Sequence, residues 1–161
     1  ESYRTKRLDG SGFSLIELVG VIAMVAIISA IAIPNMIGWR GERQLRGAVN
    51  NLLGNLQLAR MQAIREAETV SILFAAGNPA TYSIFVDPNK NGSQDAGERT
   101  LRDVTLPRGV AIQAASFSGG VAWMNYNTKG MPDKFGSVTM RNSAGTQLKL
   151  VVNKIGRLRI E

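Results

Sequence analysis

From Phe13 to Ile33 the chain carries 21 residues with one ionisable group, Glu17. At 1.5 Å per residue such a run makes a helix of about 31 Å, enough to cross a bilayer's hydrocarbon core. Further on, apolar residues recur at spacings of three and four: Leu45, Val49, Leu52, Leu56, Ala59 and Ala63. Arg43, Arg46, Asn50, Gln57 and Arg60 tend to other faces. This predicts an amphipathic helix, ending near Glu68, whose stripe packs on something. Between the two patterns lie Pro34, Gly38 and Gly41, which predict a kink or softened stretch inside one helix of about 50 residues. After residue 68 the period changes. Short segments rich in Val, Ile, Thr and aromatics predict strands at 69–75, 81–86, 99–106, 110–114, 121–126, 137–141 and 147–152. Gly77-Asn78-Pro79, Asn91-Gly92 and Ala144-Gly145 punctuate them as turns. No helical pattern interrupts the series, so the head is expected to be an antiparallel sheet or pair of sheets, and the class α+β.

Charge sets the expected orientation. Arg4, Lys6 and Arg7 precede the apolar run and would hold the N-terminus in the cytoplasm, with everything after the span outside. Glu17 lies one turn inside the run, where a carboxylate is costly in lipid and so marks a functional site; snorkelling to the interface is the plainer alternative. A secretory signal fits less well, because the run is too long and no small-residue cleavage site closes it. The composition excludes much chemistry. The chain has no cysteine and no histidine, which removes disulfides, thiol catalysis, the usual zinc ligands and a Ser-His-Asp triad. No enzyme and no small-molecule substrate are expected. The net charge is +7, and a basic surface favours anionic partners.

The segment Gly12-Phe13-Ser14-Leu15-Ile16-Glu17, behind a basic leader and ahead of a long apolar helix, resembles the processing site of type IV prepilins and type II secretion pseudopilins. The resemblance implies cleavage by prepilin peptidase between Gly12 and Phe13, N-methylation of Phe13, and pairing of Glu17 with the N-terminal amine of a neighbouring subunit. A buried carboxylate is tolerable when it meets a buried cation. Four segments are then expected: a leader (1–12), a transmembrane and filament-core helix (13–33), an amphipathic half-helix (34–68) and a β-rich head (69–161). The chain looks more like the pseudopilin H and FimT-type minor pilins, in which two small sheets pack on the helix, than like the major pilins. Asn55 to Ala63, Phe85-Val86-Asp87 through Gly97-Glu98, and Gly156-Arg157-Leu158-Arg159 carry that likeness. It implies the type IV pilin fold and a place in the bacterial inner membrane with a periplasmic head. The partners would be other pilins or pseudopilins in a pilus or pseudopilus.

Two further segments carry candidate chemistry. Asp87 to Glu98 matches a calcium-loop pattern, with Asp87, Asn89, Asn91, Asp95 and Glu98 as oxygen ligands and Gly92 at the sharp turn. Its flanks read as strands, and the same residue types close a hairpin without metal, so any calcium binding is expected to be weak. At the C-terminus, 154–160 reads as a strand whose alternation places Arg157 and Arg159 on one face. With Lys154 they would clamp phosphates and give salt-sensitive, sequence-independent affinity for DNA. In FimT-type pilins of competent bacteria a Gly-Arg-x-Arg segment is associated with DNA capture, which implies a role in DNA uptake; exposed arginines also serve solubility and protect a strand edge.

Overall fold

The computed structural model describes residues 13–161. Helix α1 spans Leu15–Glu66. Eight strands follow: β1 (Val70–Ala75), β2 (Thr81–Val86), β3 (Thr100–Thr105), β4 (Val110–Phe117), β5 (Trp123–Tyr126), β6 (Gly136–Asn142), β7 (Gln147–Val152) and β8 (Leu158–Ile160). The chain divides between Ile37 and Gly38 into two compact units, each taken by itself below.

In the first unit, Ser14 opens α1. Its hydroxyl and its carbonyl both accept the Glu17 amide, at 3.2 and 3.1 Å, so one orphan donor of the first turn is satisfied by a side chain. Ser14 with Glu17 three residues on is the sequence signature of a capping box, and an acid in the first turn also suits the helix dipole. From Leu15 to Ile33 the large apolar side chains stand uncovered, Leu15 at 81% and Ile31 at 74% exposure. Among the described residues, α1 is the one helix long and apolar enough to cross a membrane. The helix runs through Pro34 without interruption.

In the second unit, the expected stripe is the helix's contribution to the core. Leu45, Val49, Leu52, Leu56, Ala59 and Ala63 are all buried. The helix stops at Glu66 because Ala67 turns into the left-handed region, φ 55°, a non-glycine version of the usual left-handed cap. All strand pairings are antiparallel. They build two four-stranded sheets, in the orders β3-β2-β1-β5 and β4-β6-β7-β8. β5 thus belongs to the first sheet although β4 and β6, its neighbours in sequence, belong to the second. The inner faces of both sheets and the helix stripe share one hydrophobic core. Phe74 of the first sheet stacks on Phe117 of the second, centroids 5.6 Å apart. The first sheet is also tied to the helix by polar contacts: Asn55 Nδ2 donates to Tyr82 Oη at 2.7 Å, and that hydroxyl donates to Asn51 Oδ1 at 3.2 Å.

Three connections repeat one device. Asn127, Asn142 and Asn153 each begin an Asn-x-x-Gly turn. The asparagine carbonyl accepts the glycine amide, and its side-chain oxygen accepts the amide of the residue after the glycine. Gly130, Gly145 and Gly156 sit at φ 70°, 89° and 78°, where only glycine is unstrained. This is a type I turn closed by a left-handed glycine, a favoured three-residue hairpin loop. The third of these turns corrects the expected strand at 154–160. Lys154 and Ile155 lie in the turn, and β8 begins only at Leu158, because the Asn153 side chain captures the Ile155 and Arg157 amides at 3.1 and 2.8 Å.

Candidate functional site

Three regions hold the residues singled out in the sequence. The first is the start of α1. Phe13 is 87% exposed, and Glu17 stands one turn in, flanked by uncovered apolar side chains. Gly12 lies outside the described residues. Just beyond the apolar run, within the second unit, the Arg43 guanidinium lies 4.6 Å from the Trp39 ring centroid, and Arg46 pairs with Glu42 at 2.8 Å. Arg43 and Arg46 therefore both have partners on their own helix.

The second region is the loop from Asp87 to Glu98. Asp87 is fully buried. Its carboxylate accepts the Ser71 hydroxyl at 2.5 Å, the Gly92 amide at 3.0 Å and the Asn91 amide at 3.3 Å. Asn89 and Asn91 both donate their side-chain amides to Asp95, each at 2.8 Å. These two bonds hold the exposed Asp95 carboxyl below its ordinary range. Glu98 accepts the Asp95 amide at 3.0 Å. The five expected calcium ligands are thus joined in one hydrogen-bond network, with the Asp87 carboxylate facing the protein interior and Glu98 linked only to Asp95. Among the described residues no group of three or more acidic side chains is placed so that it could hold a metal ion. Gly92 is fixed by packing: at φ 72°, a Cβ there would lie 2.0 Å from the Trp123 ring. Trp123 in turn carries Lys134 Nζ 4.5 Å from its centroid.

The third region is the outer face of the second sheet and the turn that leads into β8. Residue alternation and register place Arg141 on β6, Lys149 on β7 and Arg159 on β8 on one exposed face, since Arg141 pairs with Gln147 and Val151 pairs with Arg159. Neither Arg141 nor Lys149 had a face assignable from sequence. Arg157 and Arg159 both line a groove with Val151 and Asn153, although Arg157 belongs to the turn and only Arg159 to β8. Arg159 is paired with Glu161. Lys154 leans elsewhere, its Nζ 4.9 Å from the Phe135 ring centroid.

Residues 48–156 match the family described as type II transport protein GspH. The chain belongs to that family. It is 26% identical over 155 residues to the pilin-like protein PilA1 of Thermus thermophilus, covering 93% of this chain and 97% of that one. The fold is similar to that of the type IV minor pilin FimU of Pseudomonas aeruginosa in two crystal forms. One gives a TM-score of 0.56 at 20% identity, covering 74% of this chain and 90% of that one. The other gives 0.53, covering 73% and 92%. A long N-terminal helix with two antiparallel sheets is therefore the type IV pilin architecture in its minor-pilin form, as the sequence led one to expect, and the protein is a minor pilin or pseudopilin.

Proposed function

We propose that the protein is cut by prepilin peptidase between Gly12 and Phe13, waits in the inner membrane with its head in the periplasm, and then enters a filament by α1. Assembly, with no catalytic turnover, is the activity. The observation that carries this reading is the uncovered apolar surface from Leu15 to Ile33 with one carboxylate, Glu17, at its start. In lipid the surface is matched by acyl chains, and in a filament by the helices of other pilins. In the filament interior Glu17 needs a cation, and the free amine of a processed Phe13 on a neighbouring subunit supplies one. Gly12→Ala is expected to leave the precursor at its unprocessed mobility on a gel. Glu17→Ala is expected to remain in the membrane fraction and to vanish from sheared filaments. A Glu17→Ala subunit found in filaments at wild-type level would refute the pairing role.

A second reading concerns the head: it binds DNA for uptake. In its favour, Arg141, Lys149, Arg157 and Arg159 are exposed around one face that carries Glu161 as a counter-charge. Such a face attracts a phosphate backbone without reading sequence. The full chain in maltoside micelles should retard a duplex at low salt. Arg157→Gln/Arg159→Gln should weaken binding and lower the slope of log K against log salt by roughly 1.8, two phosphate contacts' worth. An unchanged slope would remove these two arginines from the interface.

A further inference from the structure

Between the last turns of α1 and the Asn153–Arg157 turn lies a cleft of about 260 Å³, to which Gln57, Arg60, Tyr126, Gly156 and Arg157 contribute. Its chemistry is one-sided. Two arginines, Arg60 and Arg157, line it. The ion pairs among the described residues are Arg46–Glu42, Arg99–Glu66 and Arg159–Glu161, so neither Arg60 nor Arg157 has a carboxylate partner there. Gly156, at φ 78°, leaves room beside the first guanidinium: a Cβ at that position would lie 3.6 Å from an Arg60 terminal nitrogen and 3.2 Å from the Pro132 ring.

Tyr126 supplies an independent sign of a missing partner. Its side chain is fully buried, yet its hydroxyl has no hydrogen-bond partner. A buried polar group left unpaired costs free energy and calls for an explanation. Burial pushes the phenol up to about 12, with the Arg60 charge acting in the opposite direction, so the hydroxyl keeps its proton at neutral pH and is available as a donor. Guanidinium groups donate only, and the Gln57 amide can add another donor. The complement of such a set is an anion with several acceptor oxygens in a compact arrangement. Planar guanidinium forks suit phosphate oxygens in particular.

We propose that this cleft is a phosphate site, with Arg60 and Arg157 holding the anion, Gln57 donating its amide, and Tyr126 donating its hydroxyl from the floor. The phosphate is either inorganic or one phosphodiester of a nucleic-acid backbone; only the second source rests on the DNA reading above. Arg157 belongs to both surfaces, so a backbone crossing the outer face of the second sheet would have one phosphate anchored at its edge.

Thermal unfolding of the full chain in maltoside micelles tests the site, with phosphate compared against chloride and acetate at matched ionic strength. Phosphate should raise Tm above both, because a ligand that binds only the folded state stabilises it. Arg60→Gln should weaken phosphate on the order of tenfold, the value of one charge-assisted hydrogen bond. Tyr126→Phe should melt in chloride at or above the wild-type temperature and still lose much of the phosphate effect, which a purely structural tyrosine would not do. A duplex oligonucleotide separates the sources. If the duplex binds and Arg60→Gln weakens it, the site takes a phosphodiester. If the duplex does not bind while phosphate still acts through Arg60 and Tyr126, the DNA reading fails and the site stands with inorganic phosphate. The proposal is overturned if acetate stabilises as well as phosphate, if phosphate has no effect, or if its effect is the same in wild type, Arg60→Gln and Tyr126→Phe.

Discussion

Asp87→Ala is expected to destabilise the head by about 3 kcal/mol or more, read as a fall in Tm and in the midpoint of chemical denaturation. The carboxylate is fully buried and accepts three hydrogen bonds, from the Ser71 hydroxyl and the Asn91 and Gly92 amides. Hydrogen bonds to a charged group are worth about 1.5–3 kcal/mol each, and donors left unpaired in the interior add their desolvation cost. The sum is not additive, because all three share one acceptor. Against a typical total stability of about 5–15 kcal/mol the loss is large. Ser71→Ala should cost less, since it removes one donor and leaves the two amides bound. If Asp87→Ala melted with the wild type, the loop would not depend on its inward carboxylate, and the three hydrogen bonds to it would have no energetic weight.

Gly136→Ala should be comparably damaging for a different reason. Gly136 opens β6 and pairs with Phe117 on one side and Val152 on the other. A Cβ there would lie 2.2 Å from the Ser116 carbonyl oxygen and 2.6 Å from the Phe117 Cα. Both are backbone atoms of β4, so no side-chain rotation relieves the clash. The end of the β4–β6 ladder must open instead, at about 1–3 kcal/mol for overpacking plus the hydrogen bonds lost there. Gly54→Ala is a useful control. Its added Cβ meets nothing within 4 Å, and removing a helical glycine should stabilise by about 0.5–1 kcal/mol. Equal melting temperatures for Gly136→Ala and the wild type would show that the strand end relaxes freely.

The legible parts of this fold were those governed by short-range period. The helix stripe from Leu45 to Ala63 repeats at every three or four residues and faces one core, so spacing alone identified it. The strands are bounded by turn residues that act on their immediate neighbours. The start of β8 is set by an equally local signal. Alternation predicts a strand over 154–160, but Asn153-x-x-Gly156, a four-residue pattern that also occurs at Asn127 and Asn142, overrides it. The Ser14–Glu17 cap was equally available in the sequence. Other features were beyond reach because they join distant segments. That Asp87 points inward depends on Ser71, sixteen residues earlier. The loop residues that suggest a cation site are the same types that satisfy backbone amides, and only the fold shows which they do. Arg60, Tyr126 and Arg157 come from a helix, a strand and a hairpin turn, with no common pattern to associate them.

The place of β5 has a mechanical consequence. The chain leaves the second sheet after β4, adds β5 to the first sheet beside β1, and returns to place β6 against β4. Each sheet is therefore laced into the other by covalent chain as well as by the Phe74–Phe117 stack. Peeling either sheet away draws taut the segments entering and leaving β5, and so loads the other.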